Sequence, residues 1–182
     1  IQYPVVVIAA WKLGLVVVNT NPMYTVRELV HQFNDANVKA VVVLDQFYET
    51  LCEALPNTNI EHVVVTRPID LLPQPKRGIL GAAMALTGKR PSLPKGDWIP
   101  FLQLLTGSSN YSVHRAQLDD ICALQYTGGT TGASKGVMLT QGTLMANIAQ
   151  SLAVIDILNE PIQYNVAVAP LPIYHIYAFS LC

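Results

Sequence analysis

Leu15-Val-Val-Val-Asn-Thr-Asn-Pro-Met-Tyr-Thr-Val-Arg-Glu-Leu-Val-His-Gln-Phe-Asn-Asp-Ala-Asn-Val-Lys-Ala-Val-Val-Val-Leu44 decides the fold class. Leu15 to Val18 is a valine-rich run closed by Asn19, which predicts a strand. Ala40 to Leu44 is a second uninterrupted apolar run and predicts another. Between them Thr25 and Glu28 have the spacing of a capping box, so a helix opens there and runs to about Asn37. Val26, Leu29, Val30 and Phe33 fall on one face of that helix. Working outward, Pro4 suits a first helical turn and Gly14 a helix end, which predicts a helix over Val5–Leu13. It is apolar nearly all round and is expected to be buried. Downstream come a helix over Gln46–Leu55 ended by Pro56, a strand over His62–Val65, a short helix over Trp98–Leu105, a polar loop from Gly107 to Arg115, and a strand over Ile121–Tyr126. Strands that are apolar without alternation, separated by helices, predict an α/β fold with a parallel sheet covered on both faces.

Composition narrows the function classes. Apolar residues make up 51% of the 182 residues and charged ones 13%, which excludes disorder. A net charge of −1 gives no global reason to expect nucleic acid as a partner, and no basic face joined to a recognisable nucleic-acid module is seen. Cys52, Cys122 and Cys182 are odd in number and widely spaced, which suggests neither a disulfide framework nor a zinc site and fits a cytoplasmic setting. No apolar run is long enough to span a bilayer, and Val5–Trp11 lacks the flanks of a signal peptide. Ile1 leads directly into an apolar helix and Cys182 stops inside the apolar run Ile176–Leu181, so the chain is expected to be a fragment.

Residues 67–100 differ in texture. Arg67, Lys76, Arg77, Lys89, Arg90 and Lys95 are six of the eleven basic residues of the chain, and Asp70 is the one acid before Lys95. Prolines at 68, 73, 75, 91, 94 and 100 argue against a single regular element, and Ile79–Leu86 is an apolar patch. Two readings stand: an insertion packed on the body with solvated charges, or a surface over 76–95 that rests on anionic lipid at the inner face of the cytoplasmic membrane.

Tyr126-Thr-Gly-Gly-Thr-Thr-Gly-Ala-Ser-Lys-Gly136 is the most informative stretch for chemistry. Gly128, Gly129, Gly132 and Gly136 let the backbone approach a ligand, and successive N–H groups in such a loop can form an anion cradle. Thr127, Thr130, Thr131 and Ser134 add hydroxyl donors, and Lys135 adds a point charge. Phosphate is the matching guest. The order is not a Walker A loop, because Ser134 precedes Lys135 and Gly136 follows it. A plain glycine-rich hairpin is the alternative, since Val137-Met138-Leu139 can pair back as a strand. Such a turn has no use for four hydroxyls and a lysine.

The loop resembles the (S/T)(S/G)(S/T)TGxPKG core motif of the adenylate-forming superfamily, which holds acyl- and aryl-CoA ligases, luciferases and peptide-synthetase adenylation domains. Ser134 stands where many members have proline. Two further segments are similar to family motifs in the expected order, Trp11 to Leu29 and Pro170-Leu-Pro-Ile-Tyr-His-Ile-Tyr-Ala-Phe179. Gln125-Tyr126 and Gly129 point toward the long-chain fatty-acid–CoA ligase branch, whereas Gln141 departs from the histidine usual in bacterial members. The resemblance implies stacked, mostly parallel sheets flanked by helices, residues 1–182 being part of the large N-terminal AMP-binding domain and the C-terminal domain being absent.

It also implies a reaction. A fatty acid is activated with ATP and Mg²⁺ to an acyl-adenylate, which CoA converts to the thioester. Thr127, Gly128, Gly129, Thr130, Thr131, Gly132, Ser134 and Lys135 would bind the phosphates, with Thr130 also a metal ligand. Tyr174 and His175 would line the acyl site, His175 with a catalytic role; His31, His62 and His114 lack such context. A homodimer is an assembly the resemblance allows for the parent. No acidic metal motif, ribose-binding Asp or C-terminal lysine is found, so the piece alone is expected to be inactive. The alternatives are a ligase for an aryl or medium-chain acid, or a non-catalytic nucleotide- or membrane-binding module. A Rossmann-like binding protein is disfavoured, because Asn19-Thr20-Asn21-Pro22 replaces a glycine fingerprint after the first strand.

Overall fold

The structure, a computed structural model, describes residues 2–88, 93, 96–107, 110–127, 134–157, 174 and 179. Its contacts divide the chain into two compact units, Ile1–Val6 with Pro22–Tyr111 and Val7–Asn21 with Ser112–Cys182.

The first unit is built on a three-stranded parallel sheet of order β2-β3-β4, formed by β2 (Ala40–Leu44), β3 (His62–Thr66) and β4 (Ile99–Pro100). Helix α2 (Val26–Asp35) begins at the predicted capping box: Thr25 Oγ1 accepts from the Glu28 N–H, and the Glu28 carboxylate accepts from the Thr25 N–H at 2.8 Å. Leu29 and Phe33 turn inward and meet Tyr48 and Leu51 of α3 (Tyr48–Ala54) over Val63 and Val65 of β3. Burying each of these side chains contributes about 1.5–3 kcal/mol, which makes this cluster the core of the unit.

Two sequence expectations change here. Strand β3 is buried throughout after His62, as a two-faced apolar strand should be, but β2 lies at the sheet edge and leaves Ala40 and Val42 exposed while Val41 and Val43 pack inward. The helix expected over Trp98–Leu105 is a strand and a single turn, β4 followed by α5 (Phe101–Leu104). Pro100 forces the residue before it into an extended conformation and lacks a donor for a ladder, so Ile99 pairs with β3 at its edge and Pro100 caps the turn. Within 67–100 one helix forms between the prolines, α4 (Lys76–Leu86), and none of its residues is buried.

The second unit holds a sheet of order β1-β5-β6. β1 (Val17–Asn19) runs parallel to β5 (Ile121–Thr127), and β6 (Lys135–Thr140) returns antiparallel to β5. Thus β1 does not join β2 and β3, as a single sheet would require; its partner is a strand a hundred residues on. Helix α1 (Gln2–Lys12) starts earlier than expected, with Pro4 in its first turn, and buries Val7 alone while Ile8 stays 53% exposed. Gly14 ends it at φ +73°, where a Cβ would stand 2.8 Å from the His114 ring, so glycine is required twice over. Helix α6 (Gln141–Ile157) follows β6, its first turn tied by the Thr143 N–H donating to Thr140 Oγ1. No helix among the described residues is long and apolar enough to cross a membrane.

Candidate functional site

Because β1 and β5 are parallel and β6 is antiparallel to β5, the end of β1, the end of β5 and the start of β6 share one edge of the sheet. In open α/β sheets the carboxyl ends of parallel strands form the usual ligand crevice. Three of the sequence-predicted site residues stand at that edge. Thr127 closes β5, Lys135 opens β6, and the two are partners across the antiparallel pair; Ser134 precedes Lys135. Thr127 and Lys135 are exposed, so a hydroxyl and an ammonium group face outward at the mouth of the loop. Gly128, Gly129, Thr130, Thr131 and Gly132 lie outside the described residues.

The return strand of the simple hairpin alternative is therefore present, and longer than Val137–Leu139. Directly behind the loop Gly136 pairs with Tyr126, whose ring lies across it: a Cβ on Gly136 would meet Tyr126 Cε2 and Cζ at 3.0 Å. Tyr126 is buried, so the last turn of polypeptide before the loop is braced by an aromatic ring on a glycine floor.

A fourth predicted residue is tethered to the same edge. Gln125 Nε2 donates to the Tyr174 carbonyl O at 3.1 Å, and Gln125 Oε1 accepts from Asn19 Nδ2 at 3.0 Å. Phe179, at the far end of the Pro170–Phe179 motif, meets the Trp11 ring edge-on at 5.8 Å and joins the apolar cluster of Cys122, Ala123 and Leu144. Trp11 Nε1 donates to the Cys122 carbonyl O at 2.8 Å. His175 lies outside the described residues. Sequence reading missed Asn19 and Gln125 as a pair. The signal was an amide side chain at the end of each of two apolar strands, a place where valine or leucine would otherwise serve.

Among the described residues a cavity of the second unit lies elsewhere. It measures about 420 Å³ and is lined by Trp11, Gly14, His114, Asp120, Cys122 and Gln141 among others, at the start of β5. Thr127 is at the other end of that strand, about 20 Å away at 3.3 Å per residue. This end is clasped rather than reactive. His114 Nε2 and Asp120 Oδ2 are 3.0 Å apart, and the His114 N–H donates to the Lys12 carbonyl O at 2.8 Å. The Gln117 N–H and then His114 hold the Asp120 carboxyl below its usual range, and burial pushes the Cys122 thiol up, away from nucleophilic thiolate.

The donors described at the loop edge are a hydroxyl and an ammonium, which suit a polyanion. Among the described residues no group of three His, Cys, Asp or Glu could hold a metal ion. Thr130, the candidate metal ligand, lies outside the described residues.

A mixed α/β sheet whose sequence between β5 and β6 is rich in glycine and hydroxyls, at the carboxyl end of its parallel pair, belongs to a class of architecture suited to phosphate-bearing ligands. The model of the AMP-binding enzyme family matches residues 1–182, and the chain belongs to that family. It is 36% identical over 184 residues to the long-chain-fatty-acid–CoA ligase of Escherichia coli O6:H1, covering 100% of this chain and 33% of the relative. The corresponding ligase of Haemophilus influenzae is 34% identical over 185 residues, again 100% of this chain and 33% of the relative. The crystal structure of a long-chain-fatty-acid–CoA ligase from Archaeoglobus fulgidus superposes with a TM-score of 0.69 at 27% identity, over 99% of this chain and 30% of that one. The chain thus spans about a third of the length of the curated relatives it matches.

Proposed function

We propose that the parent protein is a long-chain fatty-acid–CoA ligase, and that this chain supplies its phosphate loop and part of its acyl pocket as a portion of the N-terminal domain. The observation that carries the reading is the shared edge: Thr127, Ser134 and Lys135 flank the loop where β5 ends, and the Tyr174 backbone is bound to Gln125 beside them. ATP enters with its β- and γ-phosphates on the loop, where Thr127, Thr130, Thr131, Ser134, Lys135 and the N–H groups of Gly128, Gly129 and Gly132 donate. Mg²⁺ would accompany the nucleotide and neutralise polyphosphate charge, with Thr130 as the residue that would help to hold it. A carboxylate oxygen of the fatty acid forms a bond to the α-phosphorus. The bond to the bridging oxygen breaks, and its electron pair leaves with pyrophosphate. The CoA sulfur then bonds to the acyl carbon and AMP departs. For the first step the chain's contribution is alignment and charge stabilisation, with His175 beside the acyl and adenylate groups.

Fatty-acid-dependent exchange between pyrophosphate and ATP tests this on the whole protein. Oleate should support exchange well above 4-coumarate. Exchange driven by the aromatic acid alone would move the assignment to an aryl-acid ligase, and ATP binding without any exchange would make the protein a non-catalytic module.

A second reading concerns α4 and places the parent in the cytoplasm, peripheral at the membrane. Ile79, Ala82, Ala83 and Leu86 recur at helical spacing on its exposed face, Ile79 and Leu86 being 65% and 89% exposed, while Arg77, Gly81 and Met84 are half-buried. Lys76 and Arg77 occupy the first turn, where the helix dipole disfavours cations, and Lys89 and Arg90 follow the helix. Arg77 is held by the Asp70 carbonyl O, to which it donates at 3.2 Å; an anionic lipid surface would favour the basic cluster as a whole, at about 1 kcal/mol per basic residue near it. Binding of the whole protein to phosphatidylglycerol vesicles should weaken in the Ile79→Glu/Leu86→Glu variant and with rising salt. Equal binding of variant and wild type, or equal binding to neutral vesicles, would contradict the lipid contact.

A further inference from the structure

Asn19 and Gln125 stand opposite each other in the parallel β1–β5 pair, and both are buried, at 4% and 8% exposure. The orientation of the two amides is fixed from one end. The Tyr174 carbonyl can only accept, so Gln125 must present Nε2 to it, at 3.1 Å. Its Oε1 is then left facing Asn19, whose Nδ2 donates at 3.0 Å. The result is a directed chain, Asn19 to Gln125 to the Tyr174 backbone, inside the sheet edge and two residues before the loop that starts at Thr127. Apolar side chains at 19 and 125 would pack the strands equally well, as Val17 and Ala123 do at the preceding inward position. They would leave the Tyr174 carbonyl without this donor.

We propose that Gln125, braced by Asn19, is a positioning residue for the adenylation step: it holds the Tyr174 backbone in register with Thr127, where β5 ends. It touches no substrate. Its side chain makes one rigid frame of the strand that carries the phosphates' cradle and the segment that carries the acyl-side residues. This rests on reading the edge as the adenylation site.

The test uses the whole protein with two substitutions of similar side-chain length: Gln125→Met, which cannot donate, and Gln125→Glu, which donates to the Tyr174 carbonyl only while protonated. Gln125→Glu still accepts from Asn19 when ionised, so its adenylation rate should fall as pH rises, whereas that of Gln125→Met is low throughout. The expected result is a kcat for acyl-adenylate formation lowered about 10²-fold, the scale of an ångström's misplacement of reacting groups, with Tm and the KM for ATP close to wild type. Where Gln125→Glu gives no folded protein, the same split is read from Gln125→Met. A wild-type kcat in Gln125→Met overturns the proposal, as does a lowered kcat accompanied by a raised KM for ATP and a lowered Tm, which marks a role in sheet packing only. Absence of fatty-acid-dependent exchange in the wild type would instead sink the functional reading itself, leaving the two failures distinguishable.

Discussion

At the scale of single residues the site depends on a few close approaches. Gly136 has no room for a Cβ beside the Tyr126 ring, at 3.0 Å. Gly136→Ala must therefore push a buried ring or the loop's return strand, at the roughly 1–3 kcal/mol typical of overpacking. A lowered Tm together with weaker ATP binding in the whole protein is expected; an unchanged Tm would show that the ring yields freely. Asp120 gives a pH prediction with a definite sign. Its folded pKa is depressed, first by the Gln117 N–H and then by His114. Its contribution to stability is present above the unfolded value, about 3.9, and is lost as pH falls through the lower folded value. Stability should thus be insensitive to this group near neutrality and decline below about pH 4, and Asp120→Asn should flatten that decline. A wild-type acid limb identical to that of the variant would exclude the clasp.

At the scale of elements, what was legible in the sequence was whatever local chemistry decides. The Thr25–Glu28 box fixed the start of α2, an unbroken valine run fixed β2 and β3, and Gly14 fixed the end of α1. Thr25→Ala should cost about 1 kcal/mol by loss of the cap, read as a lower Tm; no change would mean that Glu28 alone holds the turn. What was not legible is decided by partners far along the chain. Nothing in Leu15–Asn19 says that its strand pairs with Ile121–Thr127 rather than with Ala40–Leu44, since all three are apolar and β-prone. Helix α6 escaped notice because its apolar residues lie on every side, Leu144 buried and Met145, Ile148, Leu152 and Val154 exposed, so no single face announces a helix. The candidate loop was legible in full as a motif, from Thr127 to Lys135. The amide chain behind it was not, because Asn19 and Gln125 meet only once the strands have paired.

At the scale of the whole molecule, α1 and α6 leave Ile8, Met145, Ile148 and Leu152 between 43% and 57% exposed. Produced as these 182 residues alone, the protein should bind a hydrophobic dye strongly and self-associate, and should form no acyl-CoA from ATP, oleate and CoA. Detectable thioester would contradict this. The central claim is that the glycine-rich segment between β5 and β6 grips the nucleotide's phosphates while a carboxylate attacks. The most direct measurement is acyl-adenylate formation by the whole protein carrying Thr130→Ala, Thr131→Ala and Lys135→Ala together. A fall of roughly 10²-fold or more, the scale of removing a preorganised donor from a transition state, is predicted with the fold retained; adenylation of oleate at the wild-type rate would contradict the claim.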